Sequence, residues 1–417
     1  MTRHYSALSL LKEGLNAQQG WQQAWRSPEP KPRYDVVIIG GGGQGLATAY
    51  YLAKTHGIRN VAVLEKGWIG GGNTGRNTTT VRSNYFFPES TALYDMSLRL
   101  YEGLSRELNY NIMLSQRGVV QLAHSPAEME MAARLVNAMQ INGVDAELLG
   151  PEEVRRLAPI YNFAPDARYP VYGGVYQGRA GIARHDAVAW AYARAADRLG
   201  VDIIQNCEVQ DFLTEGGRCA GVRTSRGLIR AERVGMAVAG HSTVLAERAG
   251  FRLPITSFAL QACVSEPVKP IFDTVLISPA TGTYVCQSDK GEMVIGGGLD
   301  RVPSYGQRGN LPQLETVLSG LLEMFPVFRQ LRLMRQWAGI VDVTPDSSPI
   351  IGESPLPGLF INGGWGTGGF KAMPAGGTLL AHLLATGQHH AISRPFDLDR
   401  FQTGRLIDEA AGSGIAH

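Results

Sequence analysis

The stretch YDVVIIGGGGQGLATAYYLA, residues 34–53, restricts the possible folds more than any other part of this 417-residue chain. It runs from an apolar β-branched segment through a glycine cluster into an amphipathic helical pattern. NVAVLEKG, residues 60–67, follows as a second apolar strand that ends in an acid, Glu65. Strand, glycine turn, helix, strand and acid form the βαβ unit of a dinucleotide-binding fold. We therefore predict an α/β protein with a Rossmann-like nucleotide domain.

The glycine spacing in this unit predicts individual cofactor contacts. Gly40, Gly42 and Gly45 form G-x-G-x-x-G, which permits a tight turn, close approach of the backbone to a pyrophosphate, and close packing of helix on strand. Glu65 is placed to bind a ribose hydroxyl, and an acid at this position disfavours a 2′-phosphate. The pattern thus favours FAD or NAD over NADP.

A second glycine cluster favours FAD over NAD. GGWGTGGFKAMPAGG, residues 363–377, opens a helix near the end of the chain, and WIGGGNTGRNTTTVRSNY, residues 68–85, follows Glu65 directly. A helix N-terminus with free N–H groups suits the negative charge of a reduced flavin. A chain that returns to hold both ends of a long cofactor indicates FAD. We expect further cofactor contacts from Lys66, Gly72, Asn73, Thr78, Val209, Gly364, Gly366 and Gly369.

Dinucleotide-type patterns occur at the beginning, middle and end of the chain, so we predict a discontinuous nucleotide domain. Residues 1–33 read as an N-terminal arm whose Trp21 and Trp25 we expect to pack on the protein's own body. The predicted boundaries are 34–112, 182–250 and 335–390 for the FAD-binding domain, 113–181 and 251–334 for a substrate domain, and 391–417 for a tail.

Composition excludes several classes of partner. Lys and Arg number 39 and Asp and Glu 37, and a net charge of +2 provides no field for nucleic acid or an acidic membrane surface. The four cysteines stand singly, without the paired spacing of a zinc site or the density of a disulfide framework, and we predict no metal site. No apolar run reaches the roughly 20 residues of a membrane span. We therefore expect a cytoplasmic protein with reduced thiols.

Several segments together resemble the β subunits of heterotetrameric sarcosine oxidases, which are flavin amine oxidases of the D-amino-acid oxidase family. The resemblance extends from about residue 20 to the tail, and is carried by YDVVIIGGGGQGLATAYYLA, VAVLEKGWIGGGN, QRGVVQLAHS, RHDAVAWAYARAADRLGVDIIQNCEV, RQWAGIVDVTPDSSPIIG and NGGWGTGGFKAMPAGG. It implies a D-amino-acid-oxidase-like architecture, with a discontinuous FAD-binding domain and a substrate domain of mixed antiparallel sheet and helices. It also implies oxidative demethylation of sarcosine to glycine.

The same resemblance implies two flavins, non-covalent FAD in this subunit and FMN held covalently by a histidine at the contact with a larger α subunit. His185 matches the FMN-bearing histidine. Attachment requires an unprotonated ring nitrogen, which histidine supplies near neutral pH because its reference pKa is about 6.5. Without the resemblance, the residues alone would assign His185 to a helix start or the surface. Arg184 and Asp186 either orient the ring or form an ion pair with each other.

For the substrate, the resemblance implies that Arg82 and Lys371 bind the carboxylate, since they match the carboxylate-binding positions of related monomeric sarcosine oxidases. Hydride would leave the N-methyl group of the neutral amine for FAD, electrons would pass to FMN, and oxygen would become hydrogen peroxide. The one-carbon unit would go to tetrahydrofolate or leave as formaldehyde. The α subunit is expected to carry NAD and the folate site, with γ and δ subunits completing the assembly. Lys290 is left outside the predicted catalytic set because its position also fits a hairpin tip.

Three alternatives remain open at this stage. The first is a partner-independent, single-flavin amine or D-amino-acid dehydrogenase in which His185 is unmodified. The second is an assembly scaffold that binds FAD structurally, against which the two cations argue. The third is an NAD-linked oxidoreductase, which the second glycine cluster disfavours.

Overall fold

The computed structural model describes residues 6–20, 23–300 and 302–409. Its α-helices are α1 (Ala7–Leu15), α2 (Gly43–Thr55), α3 (Pro88–Glu107), α4 (Pro126–Ile141), α5 (Pro151–Leu157), α6 (His185–Arg198), α7 (Ser242–Arg248), α8 (Leu311–Met324), α9 (Met373–Thr386) and α10 (Arg400–Thr403). Short 3₁₀ helices span Asn73–Arg76, Ala239–His241, Pro326–Gln330 and Arg394–Phe396.

The strands belong to two large sheets and one small one. They are β1 (Arg33–Ile39), β2 (Val61–Leu64), β3 (Thr80–Val81), β4 (Val119–Ala123), β5 (Glu147–Leu149), β6 (Gly173–Gln177), β7 (Gly181–Ile182), β8 (Asp202–Ile204), β9 (Val209–Glu215), β10 (Arg218–Thr224), β11 (Gly227–Met236), β12 (Thr256–Pro267), β13 (Val275–Ser278), β14 (Thr283–Gln287), β15 (Glu292–Leu299), β16 (Leu333–Val343), β17 (Ile350–Glu353) and β18 (Leu359–Gly363).

The first sheet has the order β17-β18-β11-β1-β2-β8. From β18 to β8 neighbouring strands are parallel, whereas β17 and the β9–β10 hairpin are antiparallel additions. The sequence VVII of β1 and VAVL of β2 is buried along almost its whole length, as expected for parallel strands covered on both faces. Helices α2, α6 and α9 contribute the apolar residues that cover one face of this sheet.

The second sheet has the order β16-β12-β15-β14-β13-β4-β6-β5, and all its pairs are antiparallel except β13 with β4. Residues of α5 and α8 pack on it in a separate core. A mainly parallel sheet and a mainly antiparallel sheet, each packed against helices, confirm the predicted fold class. The predicted domain boundaries stay a prediction, but β16, which they place mostly in the FAD-binding segments, pairs in the second sheet.

The two ends of the chain pack on this body in different ways. In the N-terminal arm, Trp25 packs against the core of the first sheet, as the sequence predicts. Arg26 next to it pairs with Asp197 at 2.8 Å. Trp21 lies outside the described residues. In the tail, Arg400 is completely buried and forms a bidentate pair with Asp346 at 2.7 and 3.0 Å. The tail is thus tied to the loop between β16 and β17.

None of the helices in the described part of the chain has both the length and the apolar character needed to cross a membrane.

Candidate functional site

A cavity of about 880 Å³ lies between the two sheets. Its floor is formed by residues at the carboxyl ends of β1, β2, β11 and β18, which is where open α/β sheets bind ligands. Residues of β12, β13, β14 and β15 in the second sheet form its roof. The cavity is therefore large enough for a dinucleotide together with a small substrate, and both sheets contribute to its walls.

The first glycine turn lies at the floor. Gly40 has φ +107°, and a Cβ there would lie 2.3 Å from the carbonyl oxygen of Ala237, so only glycine fits. Gly40 and Gly42 line the cavity, with Gly42 just before the N-terminus of α2. Gly45 does not line it, because it packs beneath the turn, where a Cβ would meet the Gly40 carbonyl oxygen at 2.0 Å. Its role in the structure is close packing of helix on strand.

Glu65 lines the cavity next to this turn. Its carboxylate accepts hydrogen bonds of 2.8 Å from the N–H groups of Gly41 and Gly67, one on each oxygen. These bonds fix the orientation of the carboxylate, and each oxygen keeps a second lone-pair direction for a ribose hydroxyl. The position that the sequence predicts for a ribose contact is therefore available.

Residues 66–80 fold over the first turn. Thr74 Oγ1 accepts from Gly43 N at 3.0 Å, and the Asn73 amide bonds both main-chain groups of Ile340 on β16. Lys66 Nζ lies 3.4 Å from His241 Nε2, and the pKa of His241 is lowered by burial and by Lys66. The predicted contacts of this region, Lys66, Gly72, Asn73 and Thr78, all line the cavity, as does the predicted contact Val209 at the start of β9.

The second glycine turn joins β18 to α9. Gly364 has φ +71°, and a Cβ there would lie 2.6 Å from Thr344 Cγ2; it packs behind the turn and does not line the cavity. Gly366 and Gly369 do line it. Gln44 Nε2 donates to the Gly369 carbonyl at 2.8 Å, so the first turn of α2 is bonded to the second glycine cluster. The two glycine clusters therefore meet at one cavity.

Arg82 and Lys371 are brought together although they are far apart in sequence. Both line the cavity and both are only 6% exposed. Their charged groups lie over the same ring, that of Tyr85, with distances to its centroid of 5.2 Å for Arg82 and 6.0 Å for Lys371. Arg82 donates to Asn84 Oδ1 at 2.5 Å. Among the described residues neither cation forms an ion pair with a carboxylate.

The charge of this pair is incompletely compensated. Burial, together with repulsion from Arg82, lowers the pKa of Lys371 well below its ordinary value. Helix α3 holds the backbone beside it, because Ser97 Oγ donates to the Lys371 carbonyl and Tyr101 OH to the Phe370 carbonyl, both at 2.7 Å. The buried acid Glu409 attracts Arg82 but forms no salt bridge with it among the described residues. Two buried cations without a direct ion pair form a site that favours a small anionic ligand.

Tyr284 on β14 is a cavity residue that sequence reasoning missed. Its hydroxyl accepts a 3.1 Å hydrogen bond from Thr78 Oγ1. This bond joins the second sheet to residues 66–80, which fold over the first glycine turn. Burial raises the pKa of Tyr284 to about 12, so the hydroxyl is protonated at neutral pH. The ring crosses β15 at Gly296, where a Cβ would lie 2.1 Å from the hydroxyl oxygen. The signal in the sequence is the run of three glycines in β15, since glycine within a strand indicates a close approach.

His185 does not line the cavity and is the first residue of α6. Its Nδ1 atom is buried and has no hydrogen-bond partner among the described residues. Burial is the main reason why its pKa is lowered, which keeps the imidazole neutral at pH 7. Arg184 and Asp186 form an ion pair at 2.8 Å, so their charges are directed to each other. A neutral imidazole with an unused nitrogen is the state that nucleophilic attachment requires.

His185 is nevertheless close to the cavity along the chain. Thr79 and Thr80 line the cavity, Thr80 pairs with Ile182 in the β3–β7 ladder, and the Thr79 carbonyl accepts from Ala183 N at 3.0 Å. One strand of this ladder therefore forms cavity wall and the other leads, within three residues, to His185. Trp190, five residues further along α6, is 41% exposed, so part of this helix reaches the surface.

Lys290 lies in the turn between β14 and β15, is exposed, and does not line the cavity, which agrees with a hairpin-tip position. Among the residues that the structure describes, no group of three or more histidine, cysteine or acidic side chains has the arrangement of a metal site.

Comparisons with known proteins agree with this geometry. Residues 35–383 match the family model described as FAD dependent oxidoreductase. The chain is 53% identical to sarcosine oxidase subunit beta of Rhodobacter capsulatus over 415 residues, covering 100% of both chains. It is 54% identical to the Arthrobacter sp. protein of the same name over 393 residues, or 94% of this chain and 97% of that one.

Solved structures show the same fold at lower identity. L-proline dehydrogenase from P. horikoshii superimposes with a TM-score of 0.84 at 28% identity, covering 91% of this chain and 100% of the other. Glycine oxidase from Geobacillus kaustophilus gives 0.80 at 25% identity, with coverage of 89% and 99%.

Proposed function

The chain belongs to the FAD-dependent oxidoreductase family and, within it, to the sarcosine oxidase β subunits, and we propose that it demethylates sarcosine oxidatively at FAD bound non-covalently in the central cavity. The observation that carries the substrate assignment is the buried pair Arg82 and Lys371, neither of which forms a salt bridge with a carboxylate among the described residues. A β subunit is part of a multisubunit enzyme, so the chain acts together with other subunits.

The residues of the cavity fit FAD. Two glycine turns line the cavity, each followed by a helix N-terminus, an arrangement that favours negatively charged groups such as a pyrophosphate, and Glu65 is held where it could bind a ribose. Bound there, FAD would accept the hydride that leaves the N-methyl carbon of sarcosine, which is thereby oxidised to an imine.

The protein's own contribution is binding and orientation. The carboxylate of sarcosine would accept charge-assisted hydrogen bonds from Arg82 and Lys371, which offsets their repulsion and raises the pKa of Lys371 toward its ordinary value. Anchoring the carboxylate fixes the position of the methyl carbon, and such positioning contributes a large part of the rate acceleration. Tyr284, from the opposite sheet, limits the height of the cavity above the substrate.

We further propose that His185 carries FMN covalently and that α6 faces a larger α subunit. The unused, neutral Nδ1 supports attachment, and the exposed Trp190 supports a contact surface on the same helix. FMN at this point would accept electrons and reduce oxygen to hydrogen peroxide. In the same proposal the α subunit carries NAD and the site where the one-carbon unit passes to tetrahydrofolate or leaves as formaldehyde. The γ and δ subunits complete the assembly. The enzyme is cytoplasmic, consistent with four buried free thiols.

Mass spectrometry of the peptide that contains His185 tests the two-flavin assignment. The protein, co-expressed with its partner subunits, is precipitated with acid and digested. We expect FAD in the supernatant and one FMN on the peptide, and a His185→Gln variant that keeps FAD but loses the covalent adduct. An unmodified His185 in an active, fully assembled enzyme contradicts the assignment and favours a single-flavin amine dehydrogenase.

A further inference from the structure

Asp342, near the end of β16, is a buried acid with no role in the chemistry described above. It is 1% exposed and lines the cavity. Among the described residues it forms no ion pair, so backbone N–H groups are the main compensation for its charge. A buried carboxylate without an ion-pair partner is unfavourable unless hydrogen bonds stabilise it.

Asp342 holds the second glycine turn by both its side chain and its main chain. Its Oδ2 accepts from Gly364 N at 2.6 Å, and its carbonyl accepts from Gly366 N at 2.9 Å. Both glycines have positive φ, so the two left-handed residues on either side of Trp365 are each bonded to the same aspartate. The turn that faces the cavity is thus fixed to the second sheet through one residue.

The surroundings of Asp342 contain few other ionisable groups. Ser257 is its cross-strand neighbour on β12, and Ser242 on α7 packs against Gly363. The ionisable side chains on the short elements packed against β16 are His241 in Ala239–His241 and Arg76 in Asn73–Arg76. Arg76 is directed to the carbonyls of Gly71 and Gly72 and His241 to Lys66, so neither neutralises the carboxylate.

We propose that Asp342 is a positioning residue that fixes the 363–366 turn against bound flavin and that the charge of its carboxylate, held behind that turn by Gly364 N, lowers the reduction potential of that flavin. The inference rests on FAD occupying the cavity. A negative charge beside the turn opposes the negative charge that a flavin gains on reduction, because like charges repel strongly where water is excluded. Burial raises the pKa of Asp342 to about 7, so more of the charge is present at pH 8 than at pH 6.

The test is the midpoint potential of FAD in the assembled enzyme, measured against reference dyes at pH 6 and pH 8. At pH 8, Asp342→Asn should raise the midpoint potential by about 30 mV relative to wild type. For two electrons this corresponds to a shift of about tenfold toward reduced flavin. The difference should shrink at pH 6. Two control variants should retain the pH dependence of wild type. Ser242→Ala removes a neutral group packed on the same turn, and Asp342→Glu keeps the charge.

Each result is decisive. A wild-type pH dependence in Asp342→Asn, or the same shift in Ser242→Ala, overturns the inference. If Asp342→Asn fails to retain FAD, the Asp342→Glu variant is measured in its place. FAD retention with the wild-type pH dependence in Asp342→Glu supports a requirement for the carboxylate. Loss of FAD from Asp342→Glu as well overturns the role of charge. Absence of FAD from wild-type enzyme would instead contradict the proposed function itself.

Discussion

Lys371→Met separates the binding role of Lys371 from its effect on stability. In the absence of substrate the lysine is buried beside Arg82, and both effects lower its pKa. With a substrate carboxylate present, the same ammonium gains a charge-assisted hydrogen bond. The substitution should therefore weaken binding while relieving an unfavourable interaction in the free protein.

The magnitude for binding follows from one lost hydrogen bond to a charged group. Such a bond contributes about 1.5–3 kcal/mol, and about 1.4 kcal/mol corresponds to a factor of ten. We expect kcat/KM for sarcosine to fall by roughly 10- to 150-fold, with FAD content unchanged. Spectral titration with methoxyacetate, which keeps the carboxylate and lacks the amine, should show a similar loss of affinity.

The stability effect has a defined dependence on pH. In the unfolded chain lysine binds its proton below about pH 10.4, whereas in the folded protein it does so only at a lower pH. The unfolded state therefore binds more protons between these values, and the wild type loses stability as pH falls from about 10.4. Lys371→Met lacks this loss, so its stability relative to wild type should rise as pH decreases from 10 to 7.

Lys290→Met serves as the matched control, because Lys290 is exposed at a hairpin tip and lies outside the cavity. Thermal unfolding at pH 7 and pH 10, without substrate, measures the stability term for both variants. Unchanged methoxyacetate affinity in Lys371→Met would refute the binding role. A stability difference that is the same at both pH values would refute the argument from desolvation.

Two further substitutions test the packing around the site. Arg400→Met leaves the carboxylate of Asp346 buried and without its ion-pair partner, so we expect the free energy of unfolding in urea to fall by about 3–5 kcal/mol. Arg405→Met, which changes an exposed side chain, serves as the control and should change the free energy of unfolding little. Equal effects of the two would contradict the assignment of the buried pair. Gly296→Ala places a Cβ 2.1 Å from the Tyr284 hydroxyl, and displacement of that ring should reduce kcat/KM for sarcosine by at least about tenfold without loss of FAD; unchanged kinetics would show that Tyr284 does not confine the substrate.

Local patterns predicted the nucleotide-binding part of the structure well. The unit from β1 to β2 and the orientation of Glu65 follow from short-range rules, because a strand, a tight turn and a helix are contiguous in the chain. The same rules identified which glycine clusters reach the cavity. They also assigned Gly45 to the packing of helix on strand, but in the second cluster they did not distinguish Gly366 and Gly369, which line the cavity, from Gly364, which packs behind the turn.

Contacts between distant segments were beyond local patterns. The alternation of β16 is compatible with either sheet, and its place beside β12 depends on a partner about 80 positions earlier in the chain. Tyr284 and Asp342 became candidates only when the second sheet was seen to form the roof of the cavity. The pairing of Arg82 with Lys371 over one ring likewise depends on α3 and α9 lying side by side.

The hydrogen bond between Gln44 and Gly369 has a consequence for biosynthesis. It joins α2 to a turn that is synthesised more than 300 residues later. Strand β18, which pairs with the edge of β11, is likewise synthesised long after β11. Until residue 371 leaves the ribosome, β1 and α2 are present but the flavin end of the cavity is not. Because domains generally fold as units once complete, FAD capture should follow synthesis of the second glycine cluster. The nascent chain must therefore protect an open β11 edge through most of its synthesis.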